Sequence, residues 1–158
     1  MFRKLKREKQ ALLPEECARI LKEEKRGVLS VIGDNGYPYG MPMNHYYCEE
    51  DGKLYFHSGK TGHRTDSLLK NNKASFCVYD RGVRREGEWA LEIKSVIIFG
   101  RVEMISDKAK ALDMVRRLSR KFTRDEAWIE RETEAYGDAM LMFALVPEHI
   151  SGKRVREE

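Results

Sequence analysis

Two tight-turn signals close together in the sequence limit the folds that are open to this chain. They are GDNG (33–36) and EEDG (49–52), and each separates runs of β-branched and aromatic residues. Asn-Gly and Asp-Gly favour the left-handed backbone conformations of short β-hairpin turns. The turns therefore predict three consecutive antiparallel strands, at 27–32, 37–48 and 53–58. A doubly wound parallel sheet would need helices between nearly all of its strands, so an antiparallel sheet or barrel is favoured.

The rest of the chain alternates between extended and helical patterns. Further strands are predicted at 73–79, at 89–105 as one long strand or a bent pair, and from 139 onward. Gly100 marks a possible bulge in the long strand. Helices are predicted at 13–25, about 65–71, 107–122 and about 125–136, with Thr65 as the N-cap of the second. Residues 80–88 are expected to form a polar loop.

Two prolines constrain the strand that is predicted at 37–48. Pro38 and Pro42 have no amide hydrogen to give to a ladder. A strand that contains them should lie at the edge of the sheet or carry a bulge. Together these elements predict a mostly β fold with peripheral α-helices, formed as a single domain over residues 1–158.

The composition restricts both the partners and the compartment. With 41% hydrophobic and 35% charged residues and a formal net charge of +4, the chain should be globular. The densest basic segment, 2–9, is either a functional arm or a solvated terminus, and we do not expect nucleic acid as a partner. The sequence shows neither a signal-peptide core nor the roughly 18 consecutive apolar residues of a membrane span. We therefore expect a cytoplasmic protein that has no membrane partner.

The cysteines also favour a reducing compartment. Cys17, Cys48 and Cys77 are odd in number, far apart and form no CxxC pair. They predict neither a disulfide framework nor a thiolate zinc site. Because each lies within an apolar pattern, each is expected to be a small buried side chain.

The segment HSGKTGHRTDSL (57–68) joins a predicted strand to a predicted helix. It contains Gly-Lys-Thr, but a P-loop needs another glycine five residues upstream, where this chain has Leu54 inside the strand. The sequence therefore does not match the P-loop motif that binds ATP or GTP. Free amides at a helix N-terminus, together with Lys60 and Arg64, can still bind a phosphate group. The alternative is an ordinary basic loop with a helix cap.

Histidines near this segment are the other candidates for chemistry. His57 and His63 could donate a proton to a substrate near neutral pH, or they could only bond to a cofactor or to the backbone. Together with His45 they match no spacing that is typical of metal ligands, so no metal site is expected. The sequence also has no nucleophile motif such as GxSxG, so an enzyme built on it would depend on a cofactor.

Several motifs, taken in order, resemble those of a known family. They are GVLSV, DNGYPYGMPMNHYY, GKLYFHSGKTGHRTDSLLKN, ASFCVY and SVIIFGRVEMI, and YPYGMP and FHSGKTGH are the most specific parts. Over residues 1–155 the chain is similar to the FMN-binding split-barrel proteins of the pyridoxamine 5'-phosphate oxidase-like superfamily, most of all to the nitroimidazole-resistance (Nim) branch. The resemblance implies a six-stranded antiparallel split β-barrel, and a homodimer with FMN in a groove between the subunits.

The resemblance also implies which residues contact the cofactor. They are Pro42, Met43, Asn44, His57, Ser58, Thr61, His63, Arg64, Ser95 and Val96. The residues of 42–44 would run along the flavin ring, and Thr61, His63 and Arg64 would hold its 5'-phosphate. Relatives often have lysine at the position of Arg64. The compact ammonium group of lysine is therefore replaced here by a planar guanidinium, which can donate two parallel hydrogen bonds. By the same resemblance, His57 is the candidate catalytic residue, as a proton donor.

Two functions follow from the resemblance. An FMN-dependent oxidoreductase would pass electrons to a small oxidised molecule, such as a nitroimidazole or another nitroaromatic. A non-catalytic module would use the same groove to bind or store flavin, or to bind haem with His63 or His149 as an axial ligand. Because both functions need the same groove, the sequence does not separate them.

Overall fold

The antiparallel sheet that the two turns predict is the main element of the structure. This computed structural model describes residues 1–157. Its strands are β1 (Arg26–Ile32), β2 (Pro38–Asn44), β3 (Tyr46–Cys48), β4 (Lys53–Gly59), β5 (Lys73–Tyr79), β6 (Val83–Arg84), β7 (Leu91–Met104) and β8 (Met140–Glu157). They form one eight-stranded sheet in the order β2-β1-β5-β7-β8-β4-β3, with β6 paired to β7. The sheet curls into a half-barrel, which confirms the mostly β split-barrel prediction.

The strand count differs from the six that the resemblance implied. The predicted strand 37–48 is divided at His45 into β2 and β3, and residues 80–88 contain the short β6 in addition to a loop. The amide of His45 still donates to the carbonyl oxygen of Lys25 at 3.4 Å, in the register that pairs Arg26 with Asn44. From Tyr46 onward the chain pairs with β4 instead, which divides the strand. The edge position predicted from the two prolines is confirmed, since β2 lies at one end of the sheet.

Both predicted turns are present. Asn35 and Gly36 have φ angles of 57° and 76°, and Gly52 has a φ angle of 70°. These left-handed conformations cost glycine and asparagine little, which is why the two dipeptides mark the turns. The amide of Gly33 donates to the carbonyl oxygen of Tyr37 at 2.8 Å and closes the first turn.

Strand β7 is continuous, and its predicted irregularity lies at Gly100. The register with β8 shifts between Phe99 and Gly100. A Cβ atom at Gly100 would collide with the carbonyl oxygen of Val146, so the close approach of the two strands requires glycine. The shift lets one long strand follow the curvature of the sheet.

The α-helices within residues 1–157 are α1 (Pro14–Glu23), α2 (His63–Lys70), α3 (Lys108–Ser119) and α4 (Glu126–Tyr136). The prediction of Thr65 as an N-cap is wrong, because α2 starts earlier, after Gly62 with a φ angle of 121°. Thr65 is buried inside the helix, and its hydroxyl donates to the carbonyl oxygen of Gly59 at 3.3 Å. No helix in this part of the chain combines the length and the apolar character that crossing a lipid bilayer requires.

The part of the sheet formed by β2, β1, β5 and β7 has a buried face and an open face. Alternate residues point into the core, where Leu29, Phe76 and Ile98 are fully buried. The residues between them point outward, and we call this surface the outer face. It comprises Val28 and Ile32 of β1, Pro38 and Pro42 of β2, Cys77 and Tyr79 of β5, and Ser95, Ile97 and Phe99 of β7. Large apolar side chains therefore remain exposed on it.

The three cysteines differ in their burial. Cys17 and Cys48 are buried as predicted, but Cys77 is only half-buried. It lies between Phe76 and Val78 of β5, whose side chains point inward, so its own side chain points to the outer face. The burial prediction for Cys77 is wrong because residues alternate between the two faces of β5 and only one of these faces is buried.

Candidate functional site

The segment 57–68 forms a strand end, a loop and a helix start at one end of the half-barrel. Side chains alternate along β4, so Ser58 points inward and His57 points to the opposite side. The chain then passes through the exposed residues 59–62 and enters α2. Arg64, in the first turn of α2, turns back towards β4 and β2.

Arg64 is held by neutral partners. Its Nη2 donates to the Ser58 hydroxyl at 2.6 Å, and its Nη1 donates to the Met43 sulfur at 3.0 Å. The Met41 sulfur lies 3.7 Å from the same nitrogen. Ser58 in turn donates to the carbonyl oxygen of Gly59 at 2.8 Å. Thioether sulfur is a weak acceptor, so the guanidinium is positioned without being neutralised.

The charge of Arg64 has no counterion among the described residues. Within residues 1–157 it forms no ion pair with a carboxylate, and its Nε is buried without a hydrogen-bond partner. Burial lowers the pKa of Arg64 from its usual value, but the group stays protonated at neutral pH. A half-buried cation with spare donors is suited to an anion such as phosphate.

His63 fixes the start of α2 against the first hairpin. Its ring stacks on Tyr39 with 4.1 Å between centroids, and its Nε2 accepts from the amide of Asp34 at 3.4 Å. The Asp34 carboxylate lies 3.6 Å from the same nitrogen. Thr61 lies exposed in the loop before it. The helix N-terminus that carries Arg64 is therefore tied to the β1–β2 turn.

His57 lies on the far side of β4 from Ser58 and faces α3 and α4. Burial, and then the charge of Arg64, lower the pKa of His57 below its usual value. The ring is therefore mainly neutral at neutral pH. The structure leaves the predicted role of His57 as a proton donor open, but it shifts any such role towards acidic pH.

The remaining predicted residues lie on β2 and β7. Pro42, Asn44 and Ser95 point outward, whereas Met43 and Val96 point into the core. On the outer face Pro42 pairs across strands with Val28, Val28 with Cys77, and Cys77 with Ile97. Ser95 lies two residues from Ile97 along β7. Three strand spacings separate Pro42 from Ile97, about 14 Å. One chain therefore does not bring β2 and Ser95 to the same small ligand group.

Sequence reasoning missed the two residues that complete the surroundings of Arg64. Met41 contributes a sulfur and Tyr39 supports His63. Both lie at alternate positions of β2 from Met43, so the two-residue period of the strand was the signal that could have identified them.

The histidines do not converge on a metal site. His45 is buried, its Nε2 donates to the carbonyl oxygen of Leu21 at 2.8 Å, and His149 stacks beside Phe2. Within residues 1–157 no three His, Cys, Asp or Glu side chains group as metal ligands would. His45 and His149 therefore have structural contacts of their own.

Sequence and structure comparisons place this geometry in a known class. Residues 14–154 match the family described as pyridoxamine 5'-phosphate oxidase. The chain belongs to this family, whose fold is the split barrel described above. A comparison with curated proteins gave no significant match.

Solved structures show the same fold. A candidate 5-nitroimidazole antibiotic resistance protein from Bacteroides thetaiotaomicron VPI-5482 is 20% identical with a TM-score of 0.79, over 93% of this chain and 87% of that one. A FAD-binding protein from Mesorhizobium loti is 23% identical with a TM-score of 0.66, over 92% and 97%. A FAD- and haem-binding protein from Mycobacterium smegmatis is 23% identical with a TM-score of 0.73, over 92% and 73%.

Proposed function

We propose that this protein binds FMN and acts as a flavin-dependent oxidoreductase on small oxidised molecules such as nitroaromatics. The observation that supports this most is the half-buried guanidinium of Arg64, which contacts a hydroxyl and two thioether sulfurs but no carboxylate. Structures named for flavin binding share the fold, and one is named for nitroimidazole resistance. The flavin would supply the redox chemistry, and the protein would position it.

The phosphate group of FMN fits the start of α2. Arg64 lies there half-buried and, within residues 1–157, without a carboxylate partner, and Thr61 and His63 are exposed beside it. The first amides of a helix lack internal acceptors and carry the positive end of the helix dipole. FMN is proposed over FAD because one compact cation site is suited to one terminal phosphate. The ring would extend from there towards 42–44.

A second copy of the chain would complete the site. The outer face exposes Tyr79 by 63%, Phe99 by 42% and Ile97 by 38%, a contiguous apolar surface that soluble monomers usually avoid. Pairing two such faces would bury these side chains. It would also let Ser95 of one subunit approach a ligand held by β2 of the other, which the distance within one chain prevents. We therefore include a homodimer in the proposal.

The first test is an absorbance spectrum of the purified protein, followed by titration with FMN, FAD and riboflavin. We expect flavin bands, or micromolar binding of FMN that is tighter than binding of the other two. Tighter binding of FAD would overturn the choice of cofactor. A Soret band would favour the haem-binding alternative, and a colourless protein that ignores all flavins would overturn the proposal.

Turnover distinguishes an oxidoreductase from a storage module. The FMN-loaded protein, reduced with dithionite without oxygen, is mixed with a nitrofuran, and flavin reoxidation is followed at its visible band. Oxidation well above the rate of free reduced FMN supports the enzyme, and an equal rate supports storage. We expect His57→Gln, measured at saturating FMN, to slow reoxidation. An unchanged rate would exclude His57 as the proton donor.

A further inference from the structure

A second concave site lies on the opposite side of β4 from Arg64. It is a cavity of about 420 Å³ between the end of β4, α3, α4 and the turn Gly137–Ala139. Small-molecule sites are typically of this order of size. Val115, Ala139 and Met140 give it an apolar floor.

One face of α4 forms a wall of this cavity. Trp128, Glu132 and Tyr136 line it and are spaced four residues apart, so they follow one another along the same face of the helix. Trp128 is 42% exposed and Tyr136 is 63% exposed. Large aromatic side chains that remain this open beside a cavity are typical of a ligand surface rather than of core packing.

The acidic residues of α4 differ in how they are paired. Glu126 accepts two hydrogen bonds from Arg120, at 2.9 and 3.0 Å. Glu130 accepts two from Arg116, at 2.8 and 3.0 Å. Glu132, half-buried in the cavity wall, forms no ion pair within residues 1–157. Arg116 and Arg120 are thus paired with other carboxylates, and the adjacent Arg131 neither pairs with Glu132 nor lines the cavity.

The opposite wall does not compensate this charge. Its polar residues are His57, Ser58 and Ser119, and no lysine or arginine lines the cavity. His57 is mainly neutral at neutral pH because burial and Arg64 lower its pKa. The cavity therefore combines one uncompensated carboxylate with two open aromatic rings.

We propose that this cavity binds a flat organic cation, such as a heteroaromatic ring with a fixed positive charge. The carboxylate of Glu132 would attract the charge, and the faces of Trp128 and Tyr136 would contact the ring through cation–π interactions. The site meets the proposed redox chemistry only at His57 and Ser58, and binding there does not require flavin.

The test compares N-methylquinolinium with quinoline, which has nearly the same shape but is neutral at neutral pH. Isothermal titration of the full-length protein should show tighter binding of the cation. Glu132→Gln should weaken N-methylquinolinium by at least about fivefold and leave quinoline unchanged. Trp128→Ala should weaken both, because it removes the ring surface.

Glu134→Gln is the matched control, since Glu134 is an exposed carboxylate on α4 that does not line the cavity. It should leave binding of both probes unchanged. Equal affinity for the two probes, equal effects of Glu132→Gln and Glu134→Gln, or no binding would each overturn the proposal. A protein that binds N-methylquinolinium but no flavin would retain this site and overturn only the proposed function.

Discussion

Arg64 is the residue on which the phosphate assignment depends. Arg64→Ala removes a charged donor whose present partners are Ser58 and two methionine sulfurs. Hydrogen bonds to charged groups contribute about 1.5–3 kcal/mol, so we expect FMN to bind about 10- to 100-fold more weakly. Riboflavin, which has no phosphate, should bind unchanged. Titration of both ligands by calorimetry or flavin fluorescence measures the difference.

The matched control for Arg64 is Arg131→Ala, since Arg131 is exposed on α4 and makes no ion pair within the described part of the chain. It changes the net charge equally but should not alter binding of either flavin. An equal loss of FMN and riboflavin affinity in Arg64→Ala would contradict a phosphate contact.

At this scale the sequence identified residue types better than orientations. The loop composition pointed to Arg64 and the family resemblance to Ser58, and the structure brings their side chains together at 2.6 Å. The sequence did not show that His57, one residue before Ser58, faces a different cavity. Alternation along a strand predicts opposite sides, but what packs on each side depends on α3 and α4, which are distant in sequence.

Helix α2 depends on the glycine that precedes it. Gly62 has a φ angle of 121°, and Gly62→Ala should destabilise the fold by about 1–3 kcal/mol through backbone strain. Because the strain falls where α2 starts, the variant should also weaken FMN binding. Urea unfolding and FMN titration measure the two effects.

Gly52→Ala separates stability from binding. Gly52 also has a positive φ angle, 70°, and its position has no neighbouring atom that a Cβ would meet. The Gly52→Ala variant should be less stable because of backbone strain in the β3–β4 turn, but it should bind FMN normally. If both variants lost FMN affinity equally, the effect of Gly62→Ala would be global and not local to α2.

At the scale of elements, local chemistry predicted most of the fold. The turn dipeptides, the edge prolines and the bulge at Gly100 each have a local cause, and all are present. The start of α2 differs from the prediction because the helix begins directly after the positive φ angle of Gly62, and Thr65 is already inside it. The short strand β6 was missed because it is held by its pairing with β7, which its own sequence does not encode.

The whole molecule presents the outer face to solvent in a single chain. Ile97→Asp places a charge at the middle of this apolar surface and should convert the proposed dimer to a monomer, since burying an unpaired charge is costly. Light scattering after size exclusion measures the mass. Leu13→Asp is the control, because Leu13 is 64% exposed but lies beside α1. A wild-type monomer, or an unchanged dimer in Ile97→Asp, would contradict the proposed interface.

Acid stability of the whole fold should depend on His45. Burial, and then Lys121, lower the pKa of His45 from 6.5 to about 3. The unfolded chain therefore takes up a proton that the folded state excludes, and stability is lost as the pH falls below 6.5 towards 3. We expect this group to cost about 2 kcal/mol between about pH 7 and about pH 5.

The measurement is urea unfolding of the wild type and His45→Gln across that pH interval. Glutamine can still donate to the carbonyl oxygen of Leu21 but does not titrate. The variant should therefore show a shallower dependence of its free energy of unfolding on pH. Parallel curves for the two proteins would exclude His45 as the acid-sensitive group.

The prolines of β2 also affect how these molecules behave at high concentration. A sheet that does not close into a full barrel leaves β2 as an edge strand, and such edges can recruit strands from other molecules. The register between β1 and β2 is continuous through Pro38 and Pro42, so the missing donors belong to the free side of the edge. A strand from another molecule that approached this edge would lack hydrogen-bond donors at Pro38 and Pro42. The two prolines therefore protect the open barrel against edge-to-edge aggregation.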